Sequence, residues 1–262
     1  MNIAAPAERG TRFRVQVSDN HEALCRLAAE HFVQTVLNAV SAADRATVAL
    51  SGGSTPRGLY ALLATEPYRV RVPWEKVHVF WGDERCVPPD DAQSNYKMAH
   101  DALLAHVSIL PENIHRMRGE AADLDAAARD YEEEICAALG SASATPSFDL
   151  IHLGMGDDGH TASLFPHTQA LCEGERMVAS NAVEKLATHR LTFTYPLLNA
   201  AAQVVFLACG DGKAAVLEKV LEGPYEPSQY PSQGVQPAQG TTLWLLDKTA
   251  AACLSPQTLA RR

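Results

Sequence analysis

Residues 46–60 read ATVALSGGSTPRGLY. The apolar run over 46–50 is typical of a buried strand, and the Ser-Gly-Gly that follows it predicts a turn. Thr55 and Pro56 then have the pattern of a helix N-cap and a first helical residue. A strand, a loop and a helix in this order predict one unit of an α/β fold.

The same alternation continues on both sides of this unit. Asp19 followed by Glu22 resembles a capping box that opens a helix behind the first strand. Helices between strands imply a mostly parallel sheet that is covered on both faces, that is, an α/β/α sandwich. The predicted strands are 13–17, 46–50, 77–81, 148–153, 204–209 and 241–246, and the main predicted helices are 94–106, 124–139 and 213–221.

The segment 224–240 contains four prolines and interrupts this pattern. Only one strand and a short helix follow it, which is too little for a second core. We therefore predict one domain over residues 1–262 with a surface loop at 224–240.

The composition excludes several classes of protein. The chain of 262 residues has 22 Lys and Arg against 31 Asp and Glu, a formal charge of −9, which argues against non-specific nucleic-acid binding. No apolar run reaches the roughly 18 residues that a bilayer span needs, and the amino terminus lacks the apolar core of a signal peptide. We expect a cytoplasmic protein with no membrane contact.

Neither the cysteines nor the histidines have the spacing of a metal site. The six cysteines are scattered without a C-x-x-C pair, and the ten histidines show no H-E-x-x-H grouping. We predict no metal. His152 alternates with the apolar Ile151 and Leu153 and is predicted to be a core or strand-end histidine.

Ligands of open parallel sheets bind beyond the carboxyl ends of the strands, where three loops of this chain are unusual. In the first, Gly52 and Gly53 let the backbone approach a ligand, and the helix that follows offers free N–H groups to an anion. The loop has no G-K-[ST] and so predicts no nucleoside triphosphate. The alternative is a plain strand-to-helix turn.

In the second loop, Asp83, Glu84 and Arg85 follow the strand 77–81 directly. Three adjacent charges at the end of so apolar a strand indicate a binding site. A solvated charged turn is the alternative interpretation.

The third loop reads LGMGDDGHTASLFP over 153–166 and contains a G-x-G-x-x-G pattern. A dinucleotide site is disfavoured because Asp157 and Asp158 would repel a pyrophosphate. His160 is a candidate general base that Asp158 could orient. We expect His160 to begin a short helix through Leu164, whose dipole would keep the imidazole neutral.

Two cations stand near other strand ends. Arg190 precedes the strand-like LTFTY, and Lys213 follows two glycines at a helix start. Each is a surface cation or, if the glycine loop holds a phosphate, part of that site.

Together the motifs SGGSTP, WGDER and LGMGDDGHTASLFP, in this order and spacing, resemble the 6-phosphogluconolactonase family. The similarity continues through HRLTFTYPLLNAA at 189–201 and GDGKAAVLEKVL at 210–221. It implies that family's modified Rossmann-like α/β/α sandwich, and hydrolysis of 6-phospho-D-glucono-1,5-lactone to 6-phosphogluconate without metal or organic cofactor. This reaction is the second step of the oxidative pentose phosphate pathway.

The resemblance also implies residue roles. His160 would activate water, with Asp158 and Arg85 shaping its pocket; Arg85 or a loop N–H would stabilise the oxyanion. Arg190 and Lys213 would clamp the phosphate. The remaining substrate-binding residues are predicted to be Gly52, Gly53, Ser54, Thr55 and Asp83.

Two other functions remain as alternatives. A glucosamine-6-phosphate deaminase-like isomerase would need a glutamate five residues after the histidine, where this chain has Phe165. A non-catalytic sugar-phosphate sensor would not need His160. The predicted partner in each case is a small phosphosugar, and both a monomer and a dimer remain open.

Overall fold

The computed structural model describes residues 13–140 and 145–261, so the rest of the predicted single domain lies outside the described residues. The strands are β1 (Phe13–Ser18), β2 (Ala46–Leu50), β3 (Val77–Trp81), β4 (Asp83–Arg85), β5 (Leu150–Gly154), β6 (Val178–Val183), β7 (Thr188–Phe193), β8 (Gln203–Ala208) and β9 (Thr241–Asp247). The α-helices are α1 (His21–Ala43), α2 (Ser54–Leu63), α3 (Tyr68–Arg71), α4 (Asn95–Ala102), α5 (Leu124–Leu139), α6 (Tyr195–Leu198), α7 (Ala214–Glu222) and α8 (Pro256–Leu259).

Six strands form one parallel sheet in the order β1-β9-β8-β5-β2-β3. The order shows that the strand sequence reverses between β2 and β5, the kind of switch point at which α/β sheets bind ligands. The prediction of a mostly parallel α/β sheet is confirmed.

The sheet is buried on both faces. In β2 the side chains of Val48 and Leu50 enter one apolar cluster with α1 and α2, and Ala49 enters the other with α5 and α7. This alternation is the period of two that a strand imposes on its side chains. The helices on the two faces complete the three layers.

A second sheet was not predicted. It has three antiparallel strands in the order β4-β7-β6. Only Gly82 separates β3 from β4, so the three charges at 83–85 lie in a strand and not in a solvated turn.

Two predicted helix starts are wrong, that of α1 by one residue and that of α2 by two. Asn20, not Asp19, caps α1, because its side chain accepts a hydrogen bond from the Ala23 N–H at 2.9 Å, while Asp19 pairs with Lys248. α2 begins at Ser54 behind Gly53 rather than behind Thr55. At α1 the cap is the neighbouring polar residue that adopts the extended conformation, whereas α2 opens behind a glycine that makes no side-chain cap bond.

The prediction of a surface loop over 224–240 is wrong for the middle of the segment, although residues on both sides of it are exposed. Residues 231–235 are buried, and Pro231–Gly234 form a 3-10 helix. In the described part of the chain, no helix has both the length and the apolar character to cross a bilayer.

His152 in β5 is an interior histidine, 0% exposed, and neither ring nitrogen has a hydrogen-bond partner among the described residues. Its ring lies 5.9 Å from that of Phe32. Burial, aided by His31, lowers the pKa of His152 to about 3. The side chain is therefore neutral in the folded protein.

We expect His152→Leu to remove an acid-dependent loss of stability. The unfolded chain protonates this histidine near pH 6.5 and the folded chain only near pH 3, so the wild type loses stability as the pH falls between these values. At pH 5 the loss from this residue is about 2 kcal/mol. Urea unfolding at pH 7 and pH 5 gives the free energy of unfolding of both proteins. From pH 7 to pH 5 the wild type should lose about 2 kcal/mol more of this free energy than the variant loses.

The exposed His189 supplies the control, because His189→Leu should show no such gain. A difference between wild type and His152→Leu that is the same at both pH values would contradict the prediction.

Candidate active site

The three unusual loops meet at one edge of the main sheet. They follow β2, β3 and β5, which are neighbours in the order β5-β2-β3, and parallel strands end at the same edge. The structure thus brings together segments that lie about a hundred residues apart in the sequence.

The glycine loop lies at the start of α2. Gly53 has a φ of +110°, which a side chain would strain, and α2 then points its first N–H groups outward. A cavity of about 510 Å³ is lined by Gly53 and Ser54 on one side and by Arg85 and Asn95 on the other. Arg85 therefore shares a cavity with the predicted phosphate loop, while Thr55 lies half-buried beside it.

Two arginines face each other across the small sheet. Arg85 and Arg190 are direct partners in the β4–β7 register. Burial, followed by the charge of Arg85, lowers the pKa of Arg190. Like charges opposite each other in a sheet are destabilising, so this pair concentrates positive charge that an anion would relieve.

His160 forms a bonded pair with Asp158, since its Nδ1 lies 2.6 Å from Asp158 Oδ1. The hydrogen bond with His160 holds the pKa of Asp158 well below its usual range, and Lys185 Nζ adds a contact of 3.1 Å to Asp158 Oδ2. An ionised carboxylate can only accept, so Nδ1 carries the proton and Nε2 is left as the basic nitrogen. Asp157 is exposed, and Asp158 is the aspartate that contacts His160.

The predicted helix at 160–164 is wrong. These residues form turns, with a bridge between Thr161 and Leu164 and with Ala162 at a φ of +47°. No helix dipole therefore acts on the imidazole. The ring of Phe165 stacks on it instead, 4.1 Å away with an interplanar angle of 25°.

The glycines of the G-x-G-x-x-G pattern make room for the imidazole. A Cβ on Gly156 would lie 2.0 Å from His160 Nδ1, whereas a Cβ on Gly154 would meet nothing within 4 Å. The Gly156 N–H also donates to His160 O at 2.8 Å. The residues of this pattern form a turn that folds back on His160. In a dinucleotide site the same pattern forms the turn that binds the pyrophosphate.

The buried Asp83 is hydrogen-bonded both to the third loop and to the start of α4. Its Oδ2 accepts from Ser163 Oγ at 2.6 Å, and Asn95 Nδ2 donates to its backbone oxygen at 3.0 Å and to Oδ1 at 3.3 Å. Asn95 in turn fills the space where a Cβ of Gly52 would lie. With only 7% of Asp83 exposed, its carboxylate is engaged by these protein donors, and its contact with a substrate stays a prediction.

Glu84 is a structural residue that sequence reasoning missed. It is buried and accepts hydrogen bonds from the N–H groups of Asn95 and Tyr96 at 2.7 and 2.8 Å, at the start of α4. Burial raises the pKa of Glu84, against the effect of these donors. In the sequence, Glu84 is a charged residue ten positions before the Ser94 helix cap, and this spacing is too weak a signal to assign it a structural role.

Lys213 lies at the same sheet edge, half-buried at the end of a 3-10 helix (Asp211–Lys213) that follows β8, the neighbour of β5. Arg190 lies within β7 and not before it. Within the described residues, no group of three or more His, Cys, Asp or Glu side chains has the geometry of a metal site.

The fold and the site define an α/β protein with a parallel sheet, whose carboxyl edge carries a glycine loop before α2 and a histidine–aspartate pair. The family model for glucosamine-6-phosphate isomerases/6-phosphogluconolactonase matches residues 19–244. The chain is 45% identical over 244 residues to a 6-phosphogluconolactonase of Synechocystis sp., covering 93% of this chain and 99% of the relative. A 6-phosphogluconolactonase of Mycobacterium tuberculosis is 38% identical over 92% of this chain and 98% of its own.

Solved structures agree with this result. The solved structure of 6-phosphogluconolactonase from Trypanosoma cruzi superposes with a TM-score of 0.82 at 31% identity, covering 93% of this chain and 97% of the other. A monomeric glucosamine-6-phosphate deaminase gives 0.77 at 23% identity over 92% of this chain and all of its own, a likeness of fold alone. The chain belongs to the glucosamine-6-phosphate isomerase/6-phosphogluconolactonase family.

We expect Gly156→Ala to push the imidazole of His160 away from Asp158, because the new methyl group would overlap Nδ1. Overpacking of this kind costs typically about 1–3 kcal/mol in the free energy of unfolding. Chemical denaturation should report that loss, and ¹⁵N NMR should show that the Nδ1–H of His160 has lost its bond.

Gly154→Ala is the matched control, since the added Cβ would meet open space only two residues away. The interpretation fails if both variants keep the wild-type His160 spectrum.

Proposed function

We propose that this chain hydrolyses 6-phospho-D-glucono-1,5-lactone to 6-phospho-D-gluconate, in the cytoplasm, as the second step of the oxidative pentose phosphate pathway, and that residues 1–262 form one domain for this reaction. The observation that carries the proposal is the Asp158–His160 pair at the same sheet edge as the cationic glycine-loop cavity. Relatives named 6-phosphogluconolactonase at 38–45% identity over nearly the whole chain support it.

The phosphate would bind at the glycine loop. The first N–H groups of α2, at Ser54 and Thr55, would donate to it, with Gly52 and Gly53 allowing close approach. Arg85, Arg190 and Lys213 would neutralise its charge, and the mutual repulsion of the two arginines would be relieved on binding. Binding at this remote group would orient the lactone ring.

His160 would act as general base through Nε2. It would take a proton from a water molecule, whose oxygen attacks the lactone carbonyl carbon and gives a tetrahedral oxyanion. Collapse of that intermediate would break the bond from C1 to the ring oxygen, which would receive the proton back from Nε2. Asp158 would stabilise the imidazolium between these steps, and Arg85 or a loop N–H would stabilise the oxyanion.

Two parallel activity assays and a binding measurement separate the alternatives. Lactone generated in situ by glucose-6-phosphate dehydrogenase is followed against its spontaneous hydrolysis, with deamination of glucosamine 6-phosphate measured in parallel. Acceleration of lactone loss alone supports the proposal. Deamination would favour the isomerase despite Phe165, and no activity with retained phosphosugar binding would favour the sensor.

We expect His160→Ala to lower kcat for the lactone about 10²–10⁴-fold, the usual contribution of a general base. Phosphosugar binding should survive, because the proposed phosphate contacts lie at the glycine loop and not at His160. Lactone loss and binding of 6-phosphogluconate by calorimetry measure the two effects separately.

His100→Ala changes a half-buried histidine on α4 and should leave both quantities unchanged. Wild-type turnover in His160→Ala would remove this residue from the mechanism.

We expect Arg190→Ala and Lys213→Ala to raise KM, by roughly 10–100-fold for each charge-assisted hydrogen bond that is lost, with a smaller change in kcat. Steady-state kinetics at constant ionic strength give both values. Arg118→Ala, which removes an exposed cation paired with Asp130, is the control. An unchanged KM in both variants would contradict the phosphate clamp.

A further inference from the structure

The segment 224–240 is held in place along its length. Tyr195 Oη donates to Pro231 O at 2.9 Å, and Asn199 Nδ2 donates to Gly234 O at 3.0 Å. Gln233 Nε2 donates to the carbonyl oxygens of both Lys219 and Pro224 at 2.9 Å. A segment that is fixed by so many internal bonds is a support for what it contacts, and it is not a lid.

The segment contacts Gly159, the residue before the proposed general base His160. The backbone N–H and the Oγ of Ser232 both donate to Gly159 O, each at 2.9 Å. Ser232 is only 2% exposed, so these bonds are shielded from water. Tyr230 closes the same contact, because a Cβ on Gly159 would lie 3.0 Å from its Cδ1.

The peptide between Gly159 and His160 is therefore held at both ends. Its carbonyl oxygen accepts from Ser232, and its N–H donates to Asp158 Oδ1 at 3.2 Å. Asp158 Oδ1 is also the oxygen that bonds His160 Nδ1 at 2.6 Å. A rotation of this peptide would move the carboxylate oxygen and the imidazole relative to each other.

We propose that Ser232 is a positioning residue for the reaction, which fixes the Gly159–His160 peptide and thereby aligns Asp158 with the imidazole of His160. The proposal rests on the proposed function for its kinetic consequence but not for its structural one. Ser232 touches no reacting atom; its hydroxyl acts through the peptide plane. Its backbone N–H remains in any variant, so removal of the hydroxyl should weaken the alignment without abolishing it.

The test compares three variants. Ser232→Ala removes the hydroxyl bond to Gly159 O. Tyr195→Phe is the matched control, because it removes one buried hydroxyl bond to the same segment, at Pro231, without touching the histidine turn. Ser232→Thr keeps the hydroxyl and should restore the wild-type behaviour.

For Ser232→Ala we expect kcat to fall about 5–10-fold, with KM unchanged within twofold. A fall of this size corresponds to the loss of one buried hydrogen bond that acts in the transition state. The acid limb of the pH profile of kcat should also move, because the base is less well aligned with its carboxylate. Tyr195→Phe should lower the melting temperature about as much as Ser232→Ala does, but it should leave kcat and the pH profile unchanged.

A spectroscopic measurement separates this proposal from the proposed function. ¹⁵N NMR of the free protein should show faster exchange of the His160 Nδ1 proton in Ser232→Ala than in wild type and Tyr195→Phe. If the wild type does not hydrolyse the lactone, the proposed function fails and the NMR comparison still tests the alignment. A wild-type Nδ1 signal in Ser232→Ala, or an equal loss of kcat in Tyr195→Phe, would overturn the role of Ser232.

Discussion

The carboxylate of Asp83 is the buried group on which the arrangement of the site depends. It takes a hydrogen bond from Ser163 in the histidine turn and another from Asn95, whose side chain packs on Gly52 of the glycine loop. A buried carboxylate is costly unless donors surround it, so the loops that supply those donors must stay together. One internal acid thus fixes the distance between the two halves of the proposed active site.

Charge is distributed unevenly around that acid. Arg85 and Arg190 face each other across β4 and β7, and Asp158 in the third loop lies with His160 and with Lys185, which comes from the segment between β6 and β7. The first arrangement is unfavourable without an anion, and the second is satisfied within the protein. The proposed site would therefore gain energy from a phosphate at one end while the histidine keeps its orientation at the other.

The histidine turn is supported from two sides by different means. Gly156 leaves space for the imidazole and Phe165 stacks on its face, which together restrict the ring. Ser232 comes from a segment about seventy residues later in the chain and fixes the peptide behind it. A turn that lacks regular secondary structure obtains its rigidity from such contacts, since it has no hydrogen-bond ladder of its own.

The sequence by itself determined the parallel α/β sheet, the three loops at its carboxyl edge and the family, because strand periodicity and the motifs SGGSTP and DDGHTASLFP are local properties of the chain. Only the tertiary structure decided that Asp83 serves protein donors, that Arg85 shares a cavity with Gly53, and that residues 160–164 form turns. It also decided that 231–235 are buried, although the prolines of the segment 224–240 predicted a surface loop. These outcomes depend on contacts with residues far away in the chain. Neither the residue types nor their spacing in the sequence shows which of these residues will form hydrogen bonds with each other.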